Sequence, residues 1–214
     1  MAKKTIYLIR HGETEFNKRG AVQGRGIDAG LNETGQRQAR AFYEKYREVP
    51  FRKIYISSLK RTYQTSEGFI EAGIPYERFD GLDEISWGKV EGLTLEETGY
   101  DLFKTVLTKW QEGETHAAMD GGESPEQVAL RQAEVMEKIL ARKEEELILI
   151  TMHGRAMRIL LSRVLGFPLW EMDRFEHSNT CLYILEYDYD RGQFEVKLSN
   201  DTSHIREYMD QEYV

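Results

Sequence analysis

The stretch TIYLIRHGETEFN, residues 5–17, decides how the fold is read, because an apolar, β-branched run stops abruptly at Arg10-His11-Gly12. A run without polar alternation is the pattern of a strand buried on both faces, as in a parallel sheet. Residues 53–57 (KIYIS) and 147–152 (LILITM) repeat the pattern, and each is followed by helical periodicity. After the second run Leu59, Tyr63, Ser66 and Ile70 share a face; after the third Ile159, Leu160, Val164 and Leu165 do, with Gly166 and Pro168 as stop signals. Ala39, Phe42, Tyr43 and Tyr46 supply a crossover helix between the first two strands. Ser124-Pro125-Glu126-Gln127 opens a further helix with a serine N-cap, proline at the first position and glutamine three residues after the cap. Strand followed by helix, repeated, predicts an α/β fold with a mainly parallel sheet.

Working outward, CLYILEYDYDRGQFEVKLSN (residues 181–200) reads as two strands joined around Asp190-Arg191-Gly192, a hairpin closing the sheet at one side. Residues 85–122 lack strand signals and carry Trp87, Tyr100, Phe103, Trp110 and Met119; they are expected as a helical excursion above the sheet. With 214 residues, one domain with a full core is expected, covering 1–214.

Composition narrows the partners. A net charge of -8 argues against nucleic acid or an anionic membrane, both of which require a basic face. No apolar run is long enough to span a bilayer. Met1-Ala2-Lys3-Lys4 passes directly into a strand pattern, which leaves no room for a signal peptide, and Cys181 has no second cysteine to pair with. A cytoplasmic protein is expected, with Cys181 as a small core residue. The sequence leaves homo-oligomer formation open.

In a parallel sheet the carboxyl ends of the strands share one edge, where open α/β folds bind ligands. Arg10-His11, then Ser57-Ser58 with Arg61, then His153-Gly154-Arg155 would all meet there. A cation in the first turn of a helix faces the positive end of the macrodipole, so Arg61 and Arg155 suggest an anion held between guanidinium forks and helix N–H groups. The planar fork suits a phosphate or phosphate ester. His11 could then stabilise negative charge as an imidazolium, or attack phosphorus as a neutral nucleophile whose far nitrogen donates to a backbone carbonyl. Arg155 stands equally well as a solvated charge. A leaving alkoxide needs a proton, and Glu84, beside Ile85 and Trp87, sits where apolar neighbours should keep a carboxyl protonated; Asp83 is its competitor. His116, His177 and His204 lack such context and read as surface or loop residues, and Glu144-Glu145-Glu146 reads as a solvated helix end.

In order along the chain, LIRHGETEFN, SSLKRTYQTS, LDEISWGKVEGLT, GGES and ITMHG resemble the histidine phosphatase superfamily, in its phosphoglycerate mutase-like branch of broad-specificity phosphatase type. The resemblance implies a three-layer α/β/α sandwich with a mostly parallel central sheet and a helical cap, residues 85–122, over the carboxyl edge of the strands. It implies that His11 is the phosphorylated nucleophile, that Arg10, Arg61 and His153 bracket the phosphoryl group, and that Glu84 is the proton donor. It places Asn17, Gln23 and Gly24 on the substrate side, with Gly154 letting the backbone approach, and it implies no metal.

Within that family a phosphatase gives the phosphoryl group to water, whereas a mutase excludes water and returns it to a retained intermediate. The segment is shorter than in the cofactor-dependent mutases, and its basic residues are only Lys89, Lys104, Lys109 and His116. The expectation is therefore a phosphatase acting on a small phosphorylated metabolite, with no cofactor. The alternatives are a phosphoglycerate mutase using 2,3-bisphosphoglycerate and an inactive relative that binds phosphorylated ligands. A metal-dependent hydrolase is disfavoured because the arginines would repel a cation.

Overall fold

The computed structural model describes residues 2–94 and 96–206; Met1, Leu95 and residues 207–214 lie outside the description. The three apolar runs form β1 (Lys3–Arg10), β2 (Lys53–Ile56) and β4 (Leu147–Met152), and a short β3 (Tyr76–Arg78) follows β2. The strand order is β3-β2-β4-β1 and then β5 (Leu182–Asp188) and β6 (Gln193–Asp201). The first four pair in parallel, β4 standing between β1 and β2, whereas β5 runs antiparallel to both β1 and β6. The hairpin thus closes one side of the sheet, as its sequence predicts.

Helices cover both faces, which makes three layers. On one face α2 (Glu33–Tyr46) and α3 (Lys60–Glu71) bury Phe42 and Phe69 against Ile9, Ile54, Ile56 and Leu149. On the other, α5 (Pro125–Ala141) and α6 (Gly154–Val164) bury Val135, Ile139, Met157 and Leu160 against Ile6, Leu8, Ile148 and Ile150. Strands sandwiched this way explain the continuous apolar runs. The predicted capping box at the start of α5 forms, with the Ser124 hydroxyl accepting from Gln127 N and the Gln127 side chain accepting from Ser124 N.

Residues 85–122 contribute a short turn at Gly88–Val90 and a helix, α4 (Tyr100–Gln111); α1 (Glu15–Lys18) is a single turn after β1. Val106, Trp110 and Met119 pack with Val128 of α5 and Ile159 of α6, so the cap has its own apolar core seated on the helices. Cys181 is buried beside β1. The acidic run 144–146 is not a helix end: α5 stops at Ala141, and Glu145 accepts from the Tyr55 hydroxyl while its carbonyl accepts from the buried Lys4 ammonium.

Candidate active site

The strand tips converge as the parallel order requires. His11 follows β1, Ser57 follows β2, and His153 follows β4 as the N-cap of α6. The His11 and His153 rings lie 5.1 Å apart between centroids, with Arg61 of α3 fully buried beside them.

His11 is 3% exposed, and its Nδ1 lies 2.7 Å from the Gly12 carbonyl. That oxygen can only accept, so Nδ1 carries the proton and a neutral ring keeps its lone pair on Nε2. The ring is neutral because burial, then Arg61 and Arg10, hold its pKa well below 6.5. Two glycines allow this placement. A Cβ at Gly35, in the first turn of α2, would come within 2.1 Å of the Glu13 carbonyl, and one at Gly12 within 2.6 Å of the Gly35 carbonyl. The loop behind His11 therefore rests directly on helix backbone.

His153 has both ring nitrogens engaged. Arg61 Nε donates to its Nδ1 at 3.1 Å, so its Nε2–H donates to Ser57 Oγ at 2.8 Å. Burial, followed by Arg61 and His11, keeps this ring neutral too. Arg61 also donates to the carbonyls of Ile27 and Gly24, and desolvation brings its pKa down to about 10, still protonated at neutral pH.

Arg10 Nη1 donates to His177 Nδ1 at 3.2 Å, while its buried Nε has no acceptor among the described residues. Gln23 Nε2 is likewise buried without an acceptor among the described residues, its Oε1 accepting from the Thr14 hydroxyl. Buried donors left in this condition are costly unless a ligand completes them. Asn17 Oδ1 accepts from Asn179 Nδ2, which also donates to the His11 carbonyl. Arg10, Asn17 and Asn179 line a cleft of about 400 Å³ together with the apolar Val22, Trp87 and Phe103. Gly24 has no room for a side chain against Glu91 and the Ile85 carbonyl. Gly154 is required by His177 and Arg10: a Cβ there would lie 2.9 Å from the His177 ring.

Glu84, 7% exposed, separates from its neighbour by role. Asp83 is engaged instead by the Ser58 amide and hydroxyl and by Arg25. Glu84 Oε1 accepts from Ala156 N and Ile85 N, and Oε2 from Arg155 N. This corrects two expectations. Glu84 is not in an apolar setting but is solvated by backbone N–H groups, and the anion at the start of α6 is Glu84 itself. The start of α3 is similarly served by Asp28, which accepts from Lys60 N. Arg155 is neither solvated nor an anion ligand; it pairs with Asp173 at 2.5 Å and lies over the Trp110 ring.

Two further points concern histidines. His177 lies in a loop, as expected, but that loop brings it to Arg10, with burial and then Arg10 lowering its pKa to about 3. His204 is buried, its Nε2 within 3.3 Å of Thr180 Oγ1. His116 is exposed, as expected. The signal for His177 and Asn179 lay in strand direction: β5 is antiparallel to β1, so the residues before it arrive at the edge where β1 ends. Thr180, at φ +53°, takes a left-handed turn there and donates its N–H to the Arg10 carbonyl.

An open α/β sheet with histidines, arginines and unpaired donors gathered at its carboxyl edge defines an α/β protein with an anion-receptive cleft. The chain belongs to the histidine phosphatase superfamily (branch 1), whose profile matches residues 6–202. A curated relative named probable phosphoglycerate mutase GpmB, from Salmonella choleraesuis, is 29% identical over 209 residues, spanning 94% of each chain. Among solved structures, Bacillus stearothermophilus YhfR is 30% identical with a TM-score of 0.82, over 94% of this chain and 99% of its own. A mycobacterial glucosyl-3-phosphoglycerate phosphatase shares the fold at 24% identity and a TM-score of 0.82, over 93% of this chain and 100% of its own.

Proposed function

We propose that the protein is a metal-independent phosphatase that hydrolyses small phosphomonoesters through a phosphohistidine on His11. The observation that carries this reading is the His11 tautomer: a buried neutral ring with Nδ1–H donated to Gly12 and a lone pair on Nε2, beside an arginine whose Nε lacks an acceptor among the described residues. In the first step Nε2 attacks phosphorus, the ester P–O bond breaks, and the leaving oxygen takes a proton from Glu84. In the second, Glu84 accepts a proton from water, the resulting hydroxide attacks phosphorus, the N–P bond breaks, and Glu84 returns that proton to the departing phosphate. Three backbone N–H groups donate to the Glu84 carboxyl, and the proton that it passes on is taken from the phosphomonoester monoanion. Arg10 and Arg61 stabilise the charge on the transferring group, which is where electrostatic catalysis of phosphoryl transfer resides.

The names of the curated relatives favour a second reading, a phosphoglycerate mutase using 2,3-bisphosphoglycerate. The cap argues for the phosphatase. Lys89 pairs with Asp120 at the surface, and Lys104 and Lys109 lie along α4 among Asp101, Glu112 and Glu114, whereas the cleft wall is Val22, Trp87 and Phe103. That wall suits an ester with one phosphate and a partly apolar remainder. The test is phosphate release from a panel of phosphomonoesters in EDTA, with 3-phosphoglycerate offered with and without 2,3-bisphosphoglycerate. Release by the wild type that is lost in His11→Ala supports the phosphatase; 2-phosphoglycerate formation without release supports the mutase; no turnover supports a binding protein.

A further inference from the structure

Arg131, on α5, has its guanidinium divided between the segment that carries Glu84 and the Glu123 carboxylate. Nη1 donates to the carbonyls of Gly81 and Asp83, each at 2.9 Å, and Nη2 to the carbonyl of Glu84 at 3.0 Å. Nε and Nη2 also form a two-point ion pair with Glu123, at 3.0 Å each. Glu123 in turn accepts from Ser86 N at 2.8 Å. The pair therefore grips the chain on both sides of Glu84, through its own carbonyl and the amide two residues on. Both side chains are largely buried, at 16% and 18% exposure. The segment also lies close against α5: a Cβ on Gly81 would meet the Arg131 carbonyl at 2.8 Å. A lysine could not replace this fork, since one ammonium cannot reach several carbonyls and a bidentate carboxylate together.

We propose that the Arg131–Glu123 pair is a positioning device for the Glu84 carboxyl, acting on proton transfer to the leaving group rather than on phosphate binding. The proposal rests on the reading of Glu84 as the proton donor. The carboxyl is fixed at its far end by the first N–H groups of α6 and at its near end by the backbone that Arg131 holds. Movement of the near end takes the carboxyl off the leaving oxygen while leaving Arg10, His11 and Arg61 in place. Displacements of about 1 Å in such contacts cost up to about a hundredfold in rate.

Leaving-group dependence separates positioning from a merely structural role. An alkoxide needs a proton as it departs, whereas 4-nitrophenolate departs without one. kcat/KM, which reports the phosphorylation step, is measured for an alkyl phosphate and for 4-nitrophenyl phosphate in wild type, Arg131→Lys, Glu123→Gln and Glu84→Gln, together with the inhibition constant of inorganic phosphate. The expected result is a loss of about ten- to a hundredfold on the alkyl ester in both pair variants, within about threefold on the aryl ester, and an unchanged phosphate constant. Equal losses on both esters, or a shifted phosphate constant, would overturn the proposal. Selectivity in Glu84→Gln without selectivity in the pair variants overturns the positioning role alone; no selectivity in Glu84→Gln overturns the proton-donor reading beneath it. Glu123→Gln keeps one acceptor oxygen, for Ser86 N and Arg131 Nη2, but sets an amide NH2 against Arg131 Nε and so breaks the two-point pair; it carries the test if Arg131→Lys does not fold. Failure of both to fold assigns the pair to stability and also overturns the proposal.

Discussion

One carbonyl oxygen, that of Gly12, fixes which nitrogen of His11 is available, and the chemistry of the cleft follows from it. Because burial and two arginines hold the ring neutral well below pH 6.5, the nucleophile stays competent in mild acid. The acid limb of kcat/KM should therefore fall below the ordinary histidine value, and a limb centred at 6.5 would contradict this. The alkaline side should fall above about pH 6 as the substrate loses the proton that Glu84 needs. Arg10 depends on His177, whose Nδ1 accepts from it. His177→Leu, apolar and without an acceptor, should raise KM about tenfold with a smaller effect on kcat, since a net hydrogen bond to a charged group is worth about 1.5–3 kcal/mol. Unchanged KM would remove His177 from the site.

At the scale of elements, the first turn of α2 is a wall for the nucleophile loop. A methyl group at Gly35 has no space against Glu13, so Gly35→Ala should cost about 1–3 kcal/mol, lower the thermal midpoint by roughly 2–12 °C and depress activity with it. Wild-type stability and activity would show that the loop yields. Elements were legible in the sequence where burial imposed a strong pattern: β1, β2 and β4 lie between helical layers and read as continuous apolar runs. The three-residue β3, Tyr-Glu-Arg with two exposed side chains, gives no such signal. The strand tips were legible for the same reason as the strands, which is why Arg10, His11, Arg61 and His153 were found together. His177 and Asn179 depend on the direction of β5, and the choice between Asp83 and Glu84 depends on tertiary contacts to Ser58 and α6; periodicity encodes neither. The aromatics of the cap divide likewise, Trp110 packing inward with its Nε1 on the Ala117 carbonyl while Trp87 and Phe103 line the cleft.

Over the whole molecule, an acidic chain surrounds a pocket of buried cations, and folding has to keep three histidines neutral: His11, His153 and His177. Their folded pKa values are depressed, so below 6.5 the unfolded chain binds more protons and stability falls with pH, by up to about 1.4 kcal/mol per unit for each histidine. Asp83, raised by burial, opposes this above 3.8, and the lowered carboxylates Glu77, Glu123 and Asp173 lose their share only below about pH 4.5. The urea midpoint should therefore drop between pH 6.5 and 5; a flat profile would mean that the histidines titrate normally. The cluster of guanidinium groups also predicts that EDTA leaves turnover unchanged.

The account stands on His11 Nε2 forming the bond to phosphorus. Rapid quenching of wild type during turnover, with phosphorus NMR and peptide mapping of the trapped enzyme, tests it most directly. The predicted result is an acid-labile phosphohistidine at His11, on Nε2 and not Nδ1, absent from His11→Ala. Phosphate on His153, on Nδ1 of His11, or turnover without any phosphoenzyme would contradict it.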